Sequence, residues 1–366
     1  MSIIRTYKYR LYPTKIQREK LESTLDGCRW LYNTALEQRK IAYKRCGISL
    51  NYYKQAGELK DLDLKHIHSQ VLQDVLKRVD KAFQNFFRRI KQGEEKAGYP
   101  RFKGYGWYDS FTYPQSGFSL DENKLRLSKI GTIKVKLHRK IKGTIKTCTI
   151  KRELNNWYVC FACEVEKVAL PKTNKVIGID VGLEKFASLS NGEFIENPRY
   201  LRRSEARLKH EQRSLSRKKK GSNSRKKQRE KVAKLHRKIR NQRTDFLHKE
   251  SKKLVDNYDV IVFEDLQIKN MVKNHHLAKS ISDASWSKFI EYTTYKAENA
   301  GKTVKFVNPR NTSQICSNCG LTVKKSLAVR LHKCTCGLIL DRDTNAAINI
   351  LRLGTNQGGV TAVAGL

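Results

Sequence analysis

Asp180 stands inside the strand-like run KVIGIDVGLEKFASL, Glu264 closes the apolar run YDVIVFEDL, and Asp343 opens a helix-like run in LDRDTNAAINIL. A carboxylate at the buried end of an element carries a desolvation cost unless something positive neutralises it. Three of them from distant segments point to a divalent-cation site, and hard oxygen ligands suit Mg²⁺ or Mn²⁺. Each acid also has a plainer reading. Asp343 could cap a helix, Asp180 could serve the turn at Gly182, and Glu264 and Asp265 could face solvent at a strand end. Their joint order (strand Asp, later strand Glu, final helix Asp) is what argues for a shared site. Side chains alternate along an extended chain, so only one of Glu264 and Asp265 faces it, and one of Asp341 and Asp343.

Sulfur forms a second set. Cys316 and Cys319 have CxxC spacing, and Cys334 and Cys336 follow as a shorter CxC pair. Four thiolates in two close pairs match a closed, tetrahedral structural Zn²⁺ site. His332 is a candidate substitute ligand, against an ordinary solvated histidine. Cys28, Cys46, Cys148, Cys160 and Cys163 read as packed thiols. Cys160 and Cys163 share a CxxC, but in the strand-like WYVCFACEVE residues three apart face opposite sides.

Lys and Arg number 75 against 35 Asp and Glu, a formal net charge of +40 on a chain of 366 residues that is 39% hydrophobic. A folded chain with that excess is expected to meet a polyanion, and nucleic acid fits best. No apolar run approaches the ~18 to 20 residues of a membrane helix, and MSIIRTYKYR has no secretory leader. The expectation is a cytoplasmic protein with no membrane partner.

The elements that must position these residues follow from periodicity. Residues 3–12 read as a strand. Thr14 and Gln17 are spaced as a capping box that opens a helix buried along Leu21, Leu25, Cys28, Tyr32 and Leu36. A second helix carries Val71, Val75, Val79, Phe83, Phe86 and Ile90. This gives a helical lobe over 14–92 and, over 93–170 where GTIKVKLH and GTIKTCTI alternate, a small antiparallel sheet or a β-barrel; if residues 1–13 join it, the helices are an insertion. A second domain follows over 171–351. Within it, 200–257 reads as a basic helical hairpin, with Leu201, Leu208 and Leu215 facing Val232, Leu235, Ile239 and Phe246 and a turn near 221–224. Its one-sided charge, including Lys218, Lys219 and Lys220, favours nucleic-acid contact over a merely solvated face. Arg330 could steady a phosphate. Residues 312–340 read as a zinc ribbon and 352–366 as a disordered tail.

The segments GIDVG, VFEDL, SISDASWSKFIEY, TSQICSNCG and LDRDTNAAINI, in this order and with RLYPTKIQ and PRFK before them, resemble the TnpB family. These are transposon-encoded, RNA-guided DNA nucleases, similar to compact type V CRISPR effectors, and the resemblance covers nearly the whole chain. It implies an α+β multidomain chain: a barrel with an inserted recognition lobe, then an RNase H-like (RuvC) domain with a hairpin and a zinc ribbon. It assigns catalysis to Asp180, Glu264 and Asp343. Asp343 is preferred to Asp341 because DxNAA places the acid two residues before the Asn, here Asn345. Two Mg²⁺ (or Mn²⁺) ions and one Zn²⁺ are implied. So are a guide RNA from the transposon end and a double-stranded target with a short flanking motif, met by a monomer in the nucleoid of a prokaryotic cell. Tyr52, Gln73 and Thr112 fall at positions matching that motif's readers. The CTCG spacing departs from the family and puts zinc geometry, not catalysis, at issue. Two rival functions share the pattern: a transposase joining DNA ends with the same acids, and a silent RNA-guided repressor, which is expected to have lost one of them.

Overall fold

Alternating apolar residues in SIIRTYKYRLY make an extended first strand, β1 (Ser2–Tyr12), whose Tyr7, Tyr9 and Leu11 are buried. In the computed structural model, residues 2–326 and 329–355 are described, and the chain divides into two units, Met1–Glu166 and Lys167–Leu366. After β1 the capping box forms as spaced: the Thr14 hydroxyl accepts from the Gln17 N–H, and the Gln17 side chain accepts from the Thr14 N–H. It opens α1 (Lys15–Cys46), which ends on Gly47 in the left-handed conformation. The short α2 (Tyr52–Gly57) and the long α3 (Ser69–Lys91) follow.

The chain then returns to sheet with β2 (Ser110–Tyr113), β3 (Phe118–Asp121), β4 (Lys124–Leu127), β5 (Gly131–Lys136), β6 (Thr144–Glu153) and β7 (Asn156–Glu166). The strand order is β2-β6-β7-β1-β5-β4-β3, all antiparallel, so β1 is central and the helices enter as an insertion after it. The sheet is nearly closed. Tyr113 on edge strand β2 donates to the Ser128 carbonyl beyond β4, and its ring meets Phe118 on the other edge. One core joins helices and sheet, including Leu21, Cys28, Val71, Val75, Phe111 and Phe161. Cys160 and Cys163 do face opposite sides of β7.

In the second unit, β8 (Val176–Val181), β9 (Lys185–Leu189) and β10 (Phe194–Glu196) lead into α4 (Tyr200–Ser216) and α5 (Asn223–Asn257). These two helices pack as the expected hairpin around Leu208, Val232 and Ile239, with Leu201, Leu215 and Leu235 against them. Phe246 instead packs on Phe186 of β9, tying the hairpin's base to the sheet. Then come β11 (Val260–Glu264), α6 (Ile268–Met271), α7 (His275–Ala284), α8 (Trp286–Asn299) and β12 (Thr303–Val307). The two-stranded β13 (Leu331–Lys333) and β14 (Ile339–Asp341) precede α9 (Arg342–Thr355).

The five-stranded sheet has order β10-β9-β8-β11-β12, with β8, β11 and β12 parallel and β9 and β10 antiparallel. Helix α9 lies against β8 because Gly178 leaves room. A Cβ there would sit 2.2 Å from the Ala347 carbonyl oxygen, and one at Gly354 would sit 2.3 Å from Val262 of β11. Residues 352–355, expected in the tail, are helical because they belong to this packed face. The rest of the expected tail, 356–366, lies outside the described residues. No helix among the described residues is long and apolar enough to cross a membrane.

Candidate active site and metal centre

Adjacent parallel strands present their carboxyl ends together, which is where open α/β sheets bind ligands. Ile179 on β8 pairs with Phe263 on β11, so Asp180 and Glu264, one residue further along each strand, emerge side by side. Both are part-exposed residues above a core that contains Ile179 and Phe263. Burial first, then repulsion from Glu264 and Asp343, pushes the Asp180 carboxyl well above its ordinary range. Burial also raises Glu264, opposed by the Thr312 hydroxyl, which donates to its Oε1 at 2.5 Å.

Asp341 and Asp343 are engaged differently at the start of α9. Asp341 caps α9: its Oδ1 accepts from the Asp343 and Thr344 N–H groups at 3.0 and 3.1 Å, and its Oδ2 lies 3.2 Å from Lys185 Nζ. Burial alone would raise Asp341, but the Thr344 N–H, Lys185 and the Asp343 N–H hold its carboxyl below the ordinary value. That leaves Asp343 in the first turn with its carboxylate free of capping. It is met by Arg342 at 3.1 Å and by Arg330 at 3.7 Å, and Arg330 also lies 3.0 Å from Glu184. Asp180 therefore feels both Glu264 and Asp343, although among the described residues only the four cysteines have their ligand atoms all within 4.8 Å.

Those four are Cys316, Cys319, Cys334 and Cys336. The Cys316–Cys336 and Cys319–Cys334 sulfurs are 3.7 and 3.5 Å apart. Tetrahedral Zn–S bonds of about 2.3 Å place sulfurs roughly 3.8 Å apart, so the cage has the size of one zinc ion despite its short CxC arm. The backbone N–H of Leu338 leads in drawing the Cys336 thiol down to about 6, toward the thiolate that binds metal. Asn318 donates to Cys316 and Cys336. His332 lies outside the group of four cysteines and is not solvated: it is fully buried, pairs with Lys325, and burial lowers its pKa.

Sequence reasoning missed the residues that join this cage to the carboxylates. Asn345 and Asn349, one turn apart on α9, are both buried. Asn345 accepts from the Ser317 N–H at 2.9 Å and donates to the Ile315 carbonyl at 2.8 Å. Asn349 donates to the carbonyls of Thr312 and Ile315 at 2.9 and 2.7 Å. The loop entering the cysteine cage is thus fastened to α9, and its Thr312 holds Glu264. Two amides at helical i, i+4 spacing on an otherwise apolar face were the available signal.

The other expected nucleic-acid residues do not converge in this way. Lys218, Lys219 and Lys220 form the hairpin's turn, where Lys218 Nζ is 2.9 Å from Ser224 Oγ. Gln73 is exposed on α3, and Tyr52 packs partly on the core with Lys77 over its ring. Thr112 is half-buried between the core residues Phe111 and Tyr113 of β2, its hydroxyl bonded to Arg78 and Thr149.

Comparison with known proteins matches residues 160–275 to a family described as "Probable transposase" and residues 286–350 to "Cas12f1-like, TNB domain". Residues 1–47 match a "Helix-turn-helix domain", although here they form one strand and one unbroken helix. A protein of Streptomyces pristinaespiralis named "Putative RNA-guided DNA endonuclease" is 37% identical over 96% of this chain and 89% of its own length. Its namesake InsQ of Escherichia coli K12 is 33% identical over 97% and 93%. A solved Cas12f1–sgRNA–target DNA complex superposes with a TM-score of 0.62 at 14% identity, covering 95% of this chain and 98% of that one.

Proposed function

The chain belongs to the TnpB family of transposon-encoded, RNA-guided DNA endonucleases, and on that premise we propose that it cuts DNA at Asp180, Glu264 and Asp343 by metal-dependent phosphodiester hydrolysis. The observation that carries this reading is the side-by-side emergence of Asp180 and Glu264 at the carboxyl ends of β8 and β11, with Asp343 close enough to raise Asp180 further. Carboxylates crowded until one is driven toward protonation form a donor set suited to a dication. Asp180, Glu264 and Asp343 would hold two Mg²⁺ or Mn²⁺ ions, which supply an activated water and neutralise the leaving oxygen. The mixed sheet with a final helix across it supports the RNase H-like, RuvC reading of residues 171–351.

The chain's own residues prepare that chemistry. Lys185 and the start of α9 occupy Asp341, so Asp343 is the carboxylate left to face the strands. Thr312 fixes Glu264 in one orientation. Arg330 and Arg342 neutralise Asp343 before a ligand does. The four cysteines would hold a structural Zn²⁺ that keeps the Thr312 loop in place. Guide RNA would choose the target by pairing, with a short flanking motif read by the protein.

The test is co-purification and sequencing of bound RNA, followed by cleavage of plasmids carrying the matching target beside a randomised flank. Linear product that requires Mg²⁺, the match and a recurring flank is expected. Joined DNA ends would instead favour strand transfer, and intact plasmid throughout would remove the nuclease reading.

A further inference from the structure

Both carboxylate oxygens of Asp343 already face cations. Arg342 donates to Oδ1 from Nε at 3.2 Å and from Nη2 at 3.1 Å, and Arg330 Nη1 lies 3.7 Å from Oδ2. The two arginines are not equivalent. The Arg342 side chain is 14% exposed and also donates to the Val329 carbonyl at 3.2 Å, so it is built into the start of α9. The Arg330 side chain is 53% exposed, and its nearer partner is Glu184 in the turn between β8 and β9, with Nη2 to Oε2 at 3.0 Å.

The backbone of Arg330 is pinned beside the site. Its carbonyl accepts from the Arg342 N–H at 2.8 Å, and Leu331, the next residue, pairs with Asp341. What can move is the side chain, which spans two carboxylates with one guanidinium nitrogen toward each. A guanidinium and a divalent cation ask for the same carboxylate oxygens, and like charges at that range repel. A hold on Asp343 at 3.7 Å is looser than an ion pair in contact, and Glu184 is what keeps it at that distance.

We propose that Arg330 is a resident counter-ion that competes with the divalent ion for Asp343, and that Glu184 is a positioning residue that draws Arg330 off and so sets how readily the ion enters. The inference rests on the metal-dependent reading of the carboxylates, but ion binding reports on it without cleavage.

The full-length, zinc-loaded chain, freed of RNA in high salt, would be titrated with Mn²⁺, the free ion being counted by electron paramagnetic resonance. The carboxylate site is the binding that Asp180→Asn removes. Arg330→Gln is expected to tighten that site by about three- to fivefold, the scale of an ion pair half open to water. Glu184→Gln should loosen it by about twofold, because Arg330 is then left to Asp343 alone. The double substitution separates a tether from a mere change of field. Two independent charges would add, giving an affinity between those of the single variants. A residue that acts through Arg330 loses its effect once Arg330 is gone, so the double variant should match Arg330→Gln. Zinc content and thermal midpoint show that each variant is folded. Unchanged affinity in Arg330→Gln overturns the proposal, and an intermediate double variant overturns the part of Glu184. If the parent with its guide RNA cuts a matched target in Mg²⁺ while Arg330→Gln binds Mn²⁺ no more tightly, the counter-ion falls and the endonuclease reading stands. Tighter binding in a chain whose guide complex leaves the target intact does the reverse, and the lack of any Mn²⁺ binding that depends on Asp180 overturns both.

Discussion

A carboxyl group that burial and two acidic neighbours push toward its protonated form, as at Asp180, opposes folding whenever the solvent ionises it. The folded-state value lies above the unfolded one. Its stabilising contribution is therefore complete below the ordinary carboxylate range and is lost as pH rises through the folded value. Asp180→Asn should then abolish cleavage while raising the Tm of the protein free of Mg²⁺ at neutral pH by a few degrees, converging with the parent near pH 3. Calorimetry at the two pH values checks this, and a lowered Tm at neutral pH would count against the crowding. Thr312 acts on the same site from outside it. Thr312→Val should reduce cleavage by about 10- to 100-fold with the cysteine cage intact, and Thr312→Ser should recover most of the loss. Because the lost hydrogen bond had held Glu264 down, the acidic limb of the rate profile should move to higher pH in the valine variant. Asp180 and Glu264 stood out in the sequence because each breaks the apolar pattern of its strand, whereas Asp343 was preferred to Asp341 only through the family's motif. Thr312, Asn345 and Asn349 did not stand out, because their partners are carbonyls and a carboxylate some 30 to 48 positions away. The i, i+4 spacing of the two asparagines on an apolar face marks a buried polar pair, but not the loop that it fastens.

At the scale of elements, α9 delivers its acid only because β8 carries a glycine beneath it. Gly178→Ala would place a methyl against the Ala347 carbonyl and the Leu351 backbone nitrogen, so the helix must lift. Overpacking of this kind costs about 1 to 3 kcal/mol. A lower urea midpoint should accompany a loss of cleavage larger than the loss of folded protein, since Asp343 moves with the helix. The cysteine cage grips the same helix from its other side. Cys316→Ser should release zinc, detected by elemental analysis, and speed amide exchange at Ser317 and across the first turn of α9. Exchange that stays slow in metal-free protein would mean that the two asparagines suffice. Helices α1, α3 and the hairpin were readable from their apolar spacing, which long amphipathic helices display without help. The short strands β2 to β4 and helices α6 to α8 were not resolved from sequence. Four-residue strands leave too few alternations to separate from a loop, and α6 spans only one turn.

For the whole molecule, a charge of +40 makes salt the controlling variable. Replacing Lys218, Lys219 and Lys220 by Gln should shallow the salt slope of guide-RNA or DNA binding by about two to three if all three meet phosphate. An unchanged slope for both polymers would make the hairpin turn a solvated surface. The charge total was plain in the sequence. Which cations are spare was not, because that depends on the acids folding brings beside them, as with Lys185 and Asp341. The position of β1 has a consequence of a different kind. It is central in its sheet, yet its partners are residues 134–136 on one side and 157–166 on the other. Until those segments exist and arrive, both edges of an 11-residue strand offer unpaired amides and carbonyls. Closing loops of that length is slow, so the rate of refolding should follow the capture of β1 and not the formation of the helices that follow it in the chain. The same waiting interval is when one copy's β1 can pair with another's, which makes dilution during refolding a matter of yield as well as speed.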